Sequence, residues 1–424
     1  MLTMFEPRLA LGRAAGVVAL AALLAACSPG ADDTSTTAFA TRVVEFPGGA
    51  GSGQPRLAAD IDGTPVLSWL EPASDGPVVN GFALRYARFA GGAFGAPYQV
   101  TEGRDLFVNW ADLPSVRPVT ADVWAAHWLK FAEGSAGAYH VATSVSGDGG
   151  RTWNTPVQLN DDATAAEHGF VELFRWNEVI GAFWLDGRQL AEWSFDEPDK
   201  LLGTSLRLAR LDGTGAVVAR EIVDELVCDC CQPDMVMTAA GPVVAYRDRT
   251  PDEIRDIVVR RHADGAWSDA VVVAADGWHI EGCPVNGPAI AAAGDSVAVA
   301  WFTAAGNSAR VRFARSSDGA RSFAPAVDID GAGSFGQVGL LLERDGTAIV
   351  TWWRRPAGGG LDLAVRTVGA DGALGELRVL AHSTEFQPID VPQLIATGDD
   401  ALVAWTTLDA GGAVHTLLFD RRKL

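Results

Sequence analysis

The side chains best suited to chemistry fall in two short stretches of the 424-residue chain. Tyr246-Arg247-Asp248-Arg249, followed by Arg255 and Asp256, brings guanidinium, carboxylate and phenol close together in sequence. Guanidinium forks bind carboxylates and sugar acids through paired hydrogen bonds, so this mixture suits a glycan or another small anionic ligand. The second stretch is Cys228-Asp229-Cys230-Cys231, with Cys283 further on in Trp278-His279-Ile280-Glu281-Gly282-Cys283-Pro284. In an oxidising compartment four cysteines most simply form two disulfides. The link expected is one of the first three with Cys283, because a bond between the adjacent Cys230 and Cys231 is strained. The alternative is a soft-metal site, in which Cys228, Cys230, Cys231 and Cys283, helped by His279, bind copper or zinc.

The compartment is set by the beginning of the chain. Arg8 and Arg13 precede an apolar, small-residue run from Ala14 to Ala26, the layout of an export signal and too short to span a bilayer. The run ends in Leu24-Ala25-Ala26-Cys27, which resembles the bacterial lipobox. That resemblance implies cleavage of residues 1–26 and lipid on Cys27, anchoring the chain to the cell envelope, with Ser28 compatible with outer-membrane sorting. Residues 27–38, rich in Ser, Thr, Asp and Gly, then form a flexible tether to a domain spanning 39–424. A formal charge of −20, without a single-sign block, argues against nucleic acid as a partner. A monomer is expected.

The elements that must position the reactive residues are strands. After Phe39, short β-branched or aromatic runs alternate with Gly, Pro, Asp and Asn, and no long stretch has a helical period. One strand recurs, ending in Trp69, Trp128, Trp184, Tyr246, Trp301, Trp352 and Trp405, at intervals of 51 to 62 residues. Each unit has room for four strands, which is the blade of an all-β propeller. Seven units favour seven blades, with six as the alternative because the third unit is irregular. The last unit lacks a fourth strand, and Thr41-Arg42-Val43-Val44-Glu45-Phe46 is expected to supply it and close the ring. Polar residues follow the recurring aromatic: Glu71, Lys130, Asp186 with Arg188, Arg247 with Asp248, Thr303, Arg354 and Thr406. Equivalent places in successive blades share one face, so these should ring the mouth of the central channel.

The hairpin between the third and fourth strands of unit two reads Ser146-Gly147-Asp148-Gly149-Gly150-Arg151-Thr152-Trp153. Its glycines permit positive φ, its carboxylate can accept turn N–H groups, and Trp153 can fold under the blade. A second copy runs Ser316-Ser317-Asp318-Gly319-Ala320-Arg321-Ser322-Phe323, and Ala263-Asp264-Gly265-Ala266-Trp267 is a remnant. On these boxes the chain resembles the sialidase-like Asp-box propeller superfamily, and in particular a subgroup of cysteine-bearing bacterial lipoproteins. The resemblance implies a propeller over the whole body and a glycoside-directed hydrolase, with Asp186, Asp248 or Asp256 as acid/base. Arg188, Arg247 and Arg255 would then hold an anionic sugar, with Tyr246, Trp278, His279 and Arg354 completing the ligand face. Sialidases attack with a tyrosine placed late in the chain. Here the tyrosines are Tyr86, Tyr98, Tyr139 and Tyr246, and the nearest substitute for the family's early Arg-Ile-Pro is Gln54-Pro55-Arg56-Leu57. The departures favour the other class of function, a tethered recognition or assembly propeller.

Overall fold

Runs of β-branched and aromatic residues separated by Gly-containing turns fold, in a computed structural model, into seven antiparallel sheets. The structure describes residues 39–424 apart from 74–79, 136, 193–195, 197–200, 386–389 and 409–412. The signal, the tether and the lipidation residue Cys27 lie outside the described residues. Among the described residues no helix is long and apolar enough to cross a membrane.

Each sheet is a blade of four main strands in sequence order. Blade 3, for example, is built from His168–Trp176, Val179–Asp186, Thr204–Leu211 and Val217–Val227. The irregular third unit is therefore a full blade, and the count is seven rather than six. Blade 7 takes its outermost strand from the other end of the chain. Thr41–Val44 pairs antiparallel with Ala413–Asp420, with Val44 opposite Thr416, and the Thr416 hydroxyl donates to the Val44 carbonyl at 2.9 Å. That closure leaves no inner strand edge exposed for pairing with another chain.

The apolar core lies between blades. Seven buried clusters occur, one at each junction of neighbouring blades, and the cluster joining blade 7 to blade 1 contains Val44, Leu57, Leu67, Trp69, Leu402 and Leu418. The recurring aromatics stand on the second strands, and Trp69, Trp184, Trp301 and Trp352 are entirely shielded from solvent. A buried indole N–H needs a partner. For these four the fold supplies a carboxylate, and an arginine on that carboxylate. Trp69 Nε1 donates to Glu71 at 2.9 Å, with Arg85 at 2.9 Å from the same carboxylate. Trp184 donates to Asp186 at 2.9 Å, Trp301 to Asp276 at 2.7 Å and Trp352 to Asp330 at 2.7 Å. Arg188, Arg312 and Arg354 respectively complete these groups. In blade 4 Tyr246 takes the indole's place, its hydroxyl donating to Asp224 at 2.6 Å beside Arg260. For Tyr246, Trp301 and Trp352 the carboxylate lies on the segment that ends the preceding blade, so the device also ties blades together.

Both Asp-box hairpins are built as their residues demand. Ser146 Oγ accepts from Gly150 N and donates to Asp148, whose two carboxylate oxygens take the Thr152 N–H and hydroxyl at 2.9 and 2.7 Å. Gly150 holds φ of 87° beside Tyr86 and Trp124, where a Cβ would collide with both rings. These hydrogen bonds hold the Asp148 carboxyl down to about 2. The second box repeats the pattern with Ser316, Asp318 and Ser322, and Ala320 takes the positive φ that a glycine holds in the first. Gly319 and Gly149 occupy equivalent turn positions with φ of 70° and 75°. Trp153 and Phe323 pack under their blades, against the clusters of blades 1–2 and 4–5 respectively.

Candidate functional site

The first strand of every blade lines the centre, and together the seven enclose a cavity of about 260 Å³. Inner strands of a propeller are too crowded for large apolar side chains on the axial side, so whatever points inward there defines the channel's chemistry. Here that chemistry is polar. Glu172 of blade 3 receives Arg117 of blade 2 at 2.7 Å and also pairs with Arg56 of blade 1. Arg117 is fixed further by donating through Nε to the Leu173 carbonyl at 2.9 Å. Gln232 and Asp234 of blade 4, Gln337 of blade 6 and Gln393 of blade 7 continue the ring. Burial, reinforced by the negative charge of Glu172, pushes the Asp234 carboxyl up to about 6, although it accepts the Met235 and Ile290 N–H groups.

Backbone irregularities aim these side chains. The pairing register shifts between Gly53 and Arg56, between Gly169 and Glu172, and between Gly336 and Gly339. Each shift accompanies a non-glycine residue at positive φ: Gln54 at 54°, Phe170 at 53° and Gln337 at 56°. A bulge of this kind re-aims a strand's side chains, and such bulges concentrate next to functional sites.

The residues singled out in the sequence lie in three other places. Asp186 and Arg188 belong to the indole device of blade 3, in a charged knot with Asp161, Asp162 and His168. Arg188 lies 2.8 Å from Asp161 and 2.6 Å from Asp186, and those carboxylates favour its charged form against the opposing effect of burial. Arg354 holds Asp330 at 3.0 Å in the equivalent device of blade 6. Polar residues after the recurring aromatic are thus largely engaged with the scaffold, where the sequence suggested a ring at the channel mouth.

The third group is gathered at blades 4 and 5, as the sequence spacing implied, but most of its polar atoms are engaged within the protein. Arg247 is 1% exposed and donates to the carbonyls of Asn286, Arg255 and Phe302 at 2.9, 2.7 and 2.7 Å, with its guanidinium 4.8 Å from the Trp278 ring. Asp256 accepts the Gly277 and Trp278 N–H groups and so fixes the loop that carries them. Tyr246 is buried with its hydroxyl on Asp224. Arg255 bonds Glu253 at 2.9 Å and reaches the Cys228 sulfur at 3.5 Å. Asp248 is only partly covered, and burial together with the nearby Asp224 raises its carboxyl to about 6. His279 is exposed, its backbone bridging to Ile254.

A disulfide joins Cys230 to Cys283 across 53 residues, with Cα atoms 6.0 Å apart, and so staples blade 4 to the segment entering blade 5. Cys228 and Cys231 are buried thiols whose sulfurs lie 2.9 Å apart. The hydrogen bond from Cys231, with Arg247 and Arg255 nearby, favours the thiolate at Cys228, while burial opposes it at Cys231. Cys228, Cys230 and Cys231 are close enough to one another to share a metal ion.

No protein-family model and no curated protein matches the chain. Solved structures do match. A Dyadobacter fermentans protein of unknown function aligns with a TM-score of 0.50 at 13% identity, over 90% of this chain and 97% of that one. A Penicillium chrysogenum α-L-arabinanase in complex with arabinobiose gives 0.47 at 11% identity, over 91% and 99%. The NanB sialidase of Streptococcus pneumoniae gives 0.44 at 10%, over 89% and 70%. At 13% identity the Dyadobacter likeness is one of fold alone.

Proposed function

We propose that the protein is a glycan-recognition propeller, exported and held at the bacterial cell envelope, most simply the outer membrane, by lipid on Cys27, and acting as a monomer. The observation that carries the reading is the axial ring of Arg56, Arg117, Glu172, Gln232, Asp234, Gln337 and Gln393 around one small cavity. Fixed guanidinium, amide and carboxylate groups at close range are what a hydroxyl-rich sugar unit, neutral or acidic, needs for orientation. The cavity's size suits a single sugar residue at the end of a chain.

Recognition fits the tyrosines better than covalent hydrolysis does. Tyr86, Tyr139 and Tyr246 are buried, Tyr98 sits on the outer strand of blade 1, and none lines the axial cavity. A hydrolytic reading keeps one specific support: the carboxyl of Asp248, raised to about 6 by burial and the nearby Asp224, is moved towards the range that suits a general acid. In that case Asp186 and Asp256 would serve as scaffold, and Arg188, Arg255 and Arg354 as remote supports. A copper or zinc ion at the cysteine group would be structural or transport-related and separate from the sugar site.

A panel of sialosides, arabinosides and uronic-acid oligosaccharides tests the reading by calorimetry and by release of a fluorogenic leaving group. Binding without turnover is the expected result. Turnover that disappears in Asp248→Asn would replace recognition with hydrolysis, and absence of binding across the panel would remove the glycan reading.

A further inference from the structure

His168 poses a problem of hydrogen bonding. Its ring is entirely shielded from solvent, and Nδ1 lies 3.1 and 3.2 Å from the carbonyls of Tyr139 and Ala166. A carbonyl only accepts, so Nδ1 carries the proton, and in the neutral ring Nε2 offers a bare lone pair. That nitrogen faces two carboxylates, 3.2 Å from Asp162 Oδ1 and 3.7 Å from Asp186 Oδ1. It makes a hydrogen bond to neither, because a proton placed on Nε2 points well at neither oxygen. Buried polar atoms are ordinarily paired, so an unpaired nitrogen beside two anions calls for a cation between them.

We propose that His168 Nε2 and the carboxylates of Asp162 and Asp186 form a site for one zinc ion, with water completing the shell. Atoms held about 2.0 to 2.2 Å from one ion stand about 3 to 3.7 Å from each other, which is the spacing Nε2 keeps from the two oxygens. All three ligand atoms lie within 4.8 Å of one another. The bond from Nδ1–H to backbone carbonyl is the outer contact that orients a metal-bound imidazole. Asn160 Nδ2, 2.9 Å from Asp162 Oδ1, orients that carboxylate in the same way. One imidazole with two carboxylates suits zinc, whereas calcium and magnesium take oxygen ligands. Arg188 competes for the same anions, donating to Asp186 at 2.7 and 2.6 Å and lying 3.3 Å from Asp162. It also lies 2.8 Å from Asp161, outside the three ligands, so the guanidinium keeps a partner when the ion takes its share. Both Arg188 and Asp161 are partly exposed, which gives the ion a way in. His168 opens the strand His168–Trp176, whose register shift aims Glu172 into the axial cavity, so an ion here would fix that strand at its start.

The inference is independent of the saccharide reading and is tested with zinc alone. The full protein, first stripped of metal, is titrated with zinc in competition with a chromogenic chelator, and the loaded protein is examined by X-ray absorption. One zinc per chain, in a shell of one imidazole nitrogen and oxygens, is expected. His168→Gln and Asp162→Asn should each weaken uptake at least tenfold. Arg188→Met, which removes the competing cation, should tighten it, with circular dichroism checking that all three variants fold. The absorption spectrum of the unmutated protein decides the matter even where a variant fails to fold. No zinc uptake, a shell with sulfur in place of imidazole, or uptake unchanged in a folded His168→Gln would overturn the site.

Discussion

Several side chains that look reactive in the sequence are engaged with the scaffold, and Asp186 is the clearest case. Its carboxylate takes the Trp184 indole N–H and two arginine 188 bonds, and its exposure is zero. Asp186→Ala should therefore destabilise the protein by about 3 kcal/mol, because a buried indole N–H and a guanidinium lose their partner together. Asp186→Asn, which keeps an acceptor, should lose about half as much, both read from urea unfolding midpoints. Asp248→Asn should leave the midpoint unchanged or raise it slightly at pH 7, since burial and the nearby Asp224, which raise this carboxyl to about 6, oppose the charge that Asn removes. The recurring aromatics were plain in the sequence, but their partners were not. Asp276 and Asp330 stand well before Trp301 and Trp352 in the chain and meet them only through the junction between blades. The axial residues had a weak signal: a polar residue inside a short strand, as in Pro55-Arg56-Leu57 or Val171-Glu172-Leu173. That pattern is visible, but periodicity alone assigns such residues to solvent rather than to a channel.

At the scale of elements the strands were readable because aromatic-ended runs, box turns and a fixed interval all point to one repeat. The closing strand was readable for the complementary reason that one unit lacked its fourth strand. What the sequence left open was the pairing of cysteines, which depends on which loops meet. Removing the staple with Cys230→Ser/Cys283→Ser frees a closed segment of 53 residues and should lower stability by about 4 kcal/mol in the chain-entropy picture. The loss should appear under oxidising conditions and largely vanish when the unmutated protein is reduced as the reference. Deleting residues 41–46 should cost more than its few contacts suggest. It exposes the whole edge of Ala413–Asp420, so size-exclusion chromatography should show association through that strand.

Taken whole, the molecule is acidic yet buries several carboxyls whose ordinary range lies far below neutrality. Burial pushes Asp112 and Asp390 up to about 7 and Asp234 to about 6. Each binds its proton more tightly folded than unfolded, so the folded state gains relative to the unfolded one as pH falls from about 7 towards about 4. Below that range the effect is complete, and the opposite contribution of the box carboxylates, held low when folded, begins to be lost. The melting temperature should thus rise on going from pH 8 to pH 5. Asp390→Asn, which keeps an acceptor for the Thr406 N–H, should flatten that rise.

The central claim is that ligand recognition lies in the axial ring rather than at the Arg/Asp cluster of blades 4 and 5. The most direct test is the affinity of whichever saccharide binds best, measured side by side for the unmutated protein, Arg117→Met and Asp248→Asn. The account predicts about a tenfold or greater loss for Arg117→Met, as expected when a charged hydrogen bond to the ligand is removed, and unchanged affinity for Asp248→Asn. Undiminished binding in Arg117→Met together with loss in Asp248→Asn would contradict it.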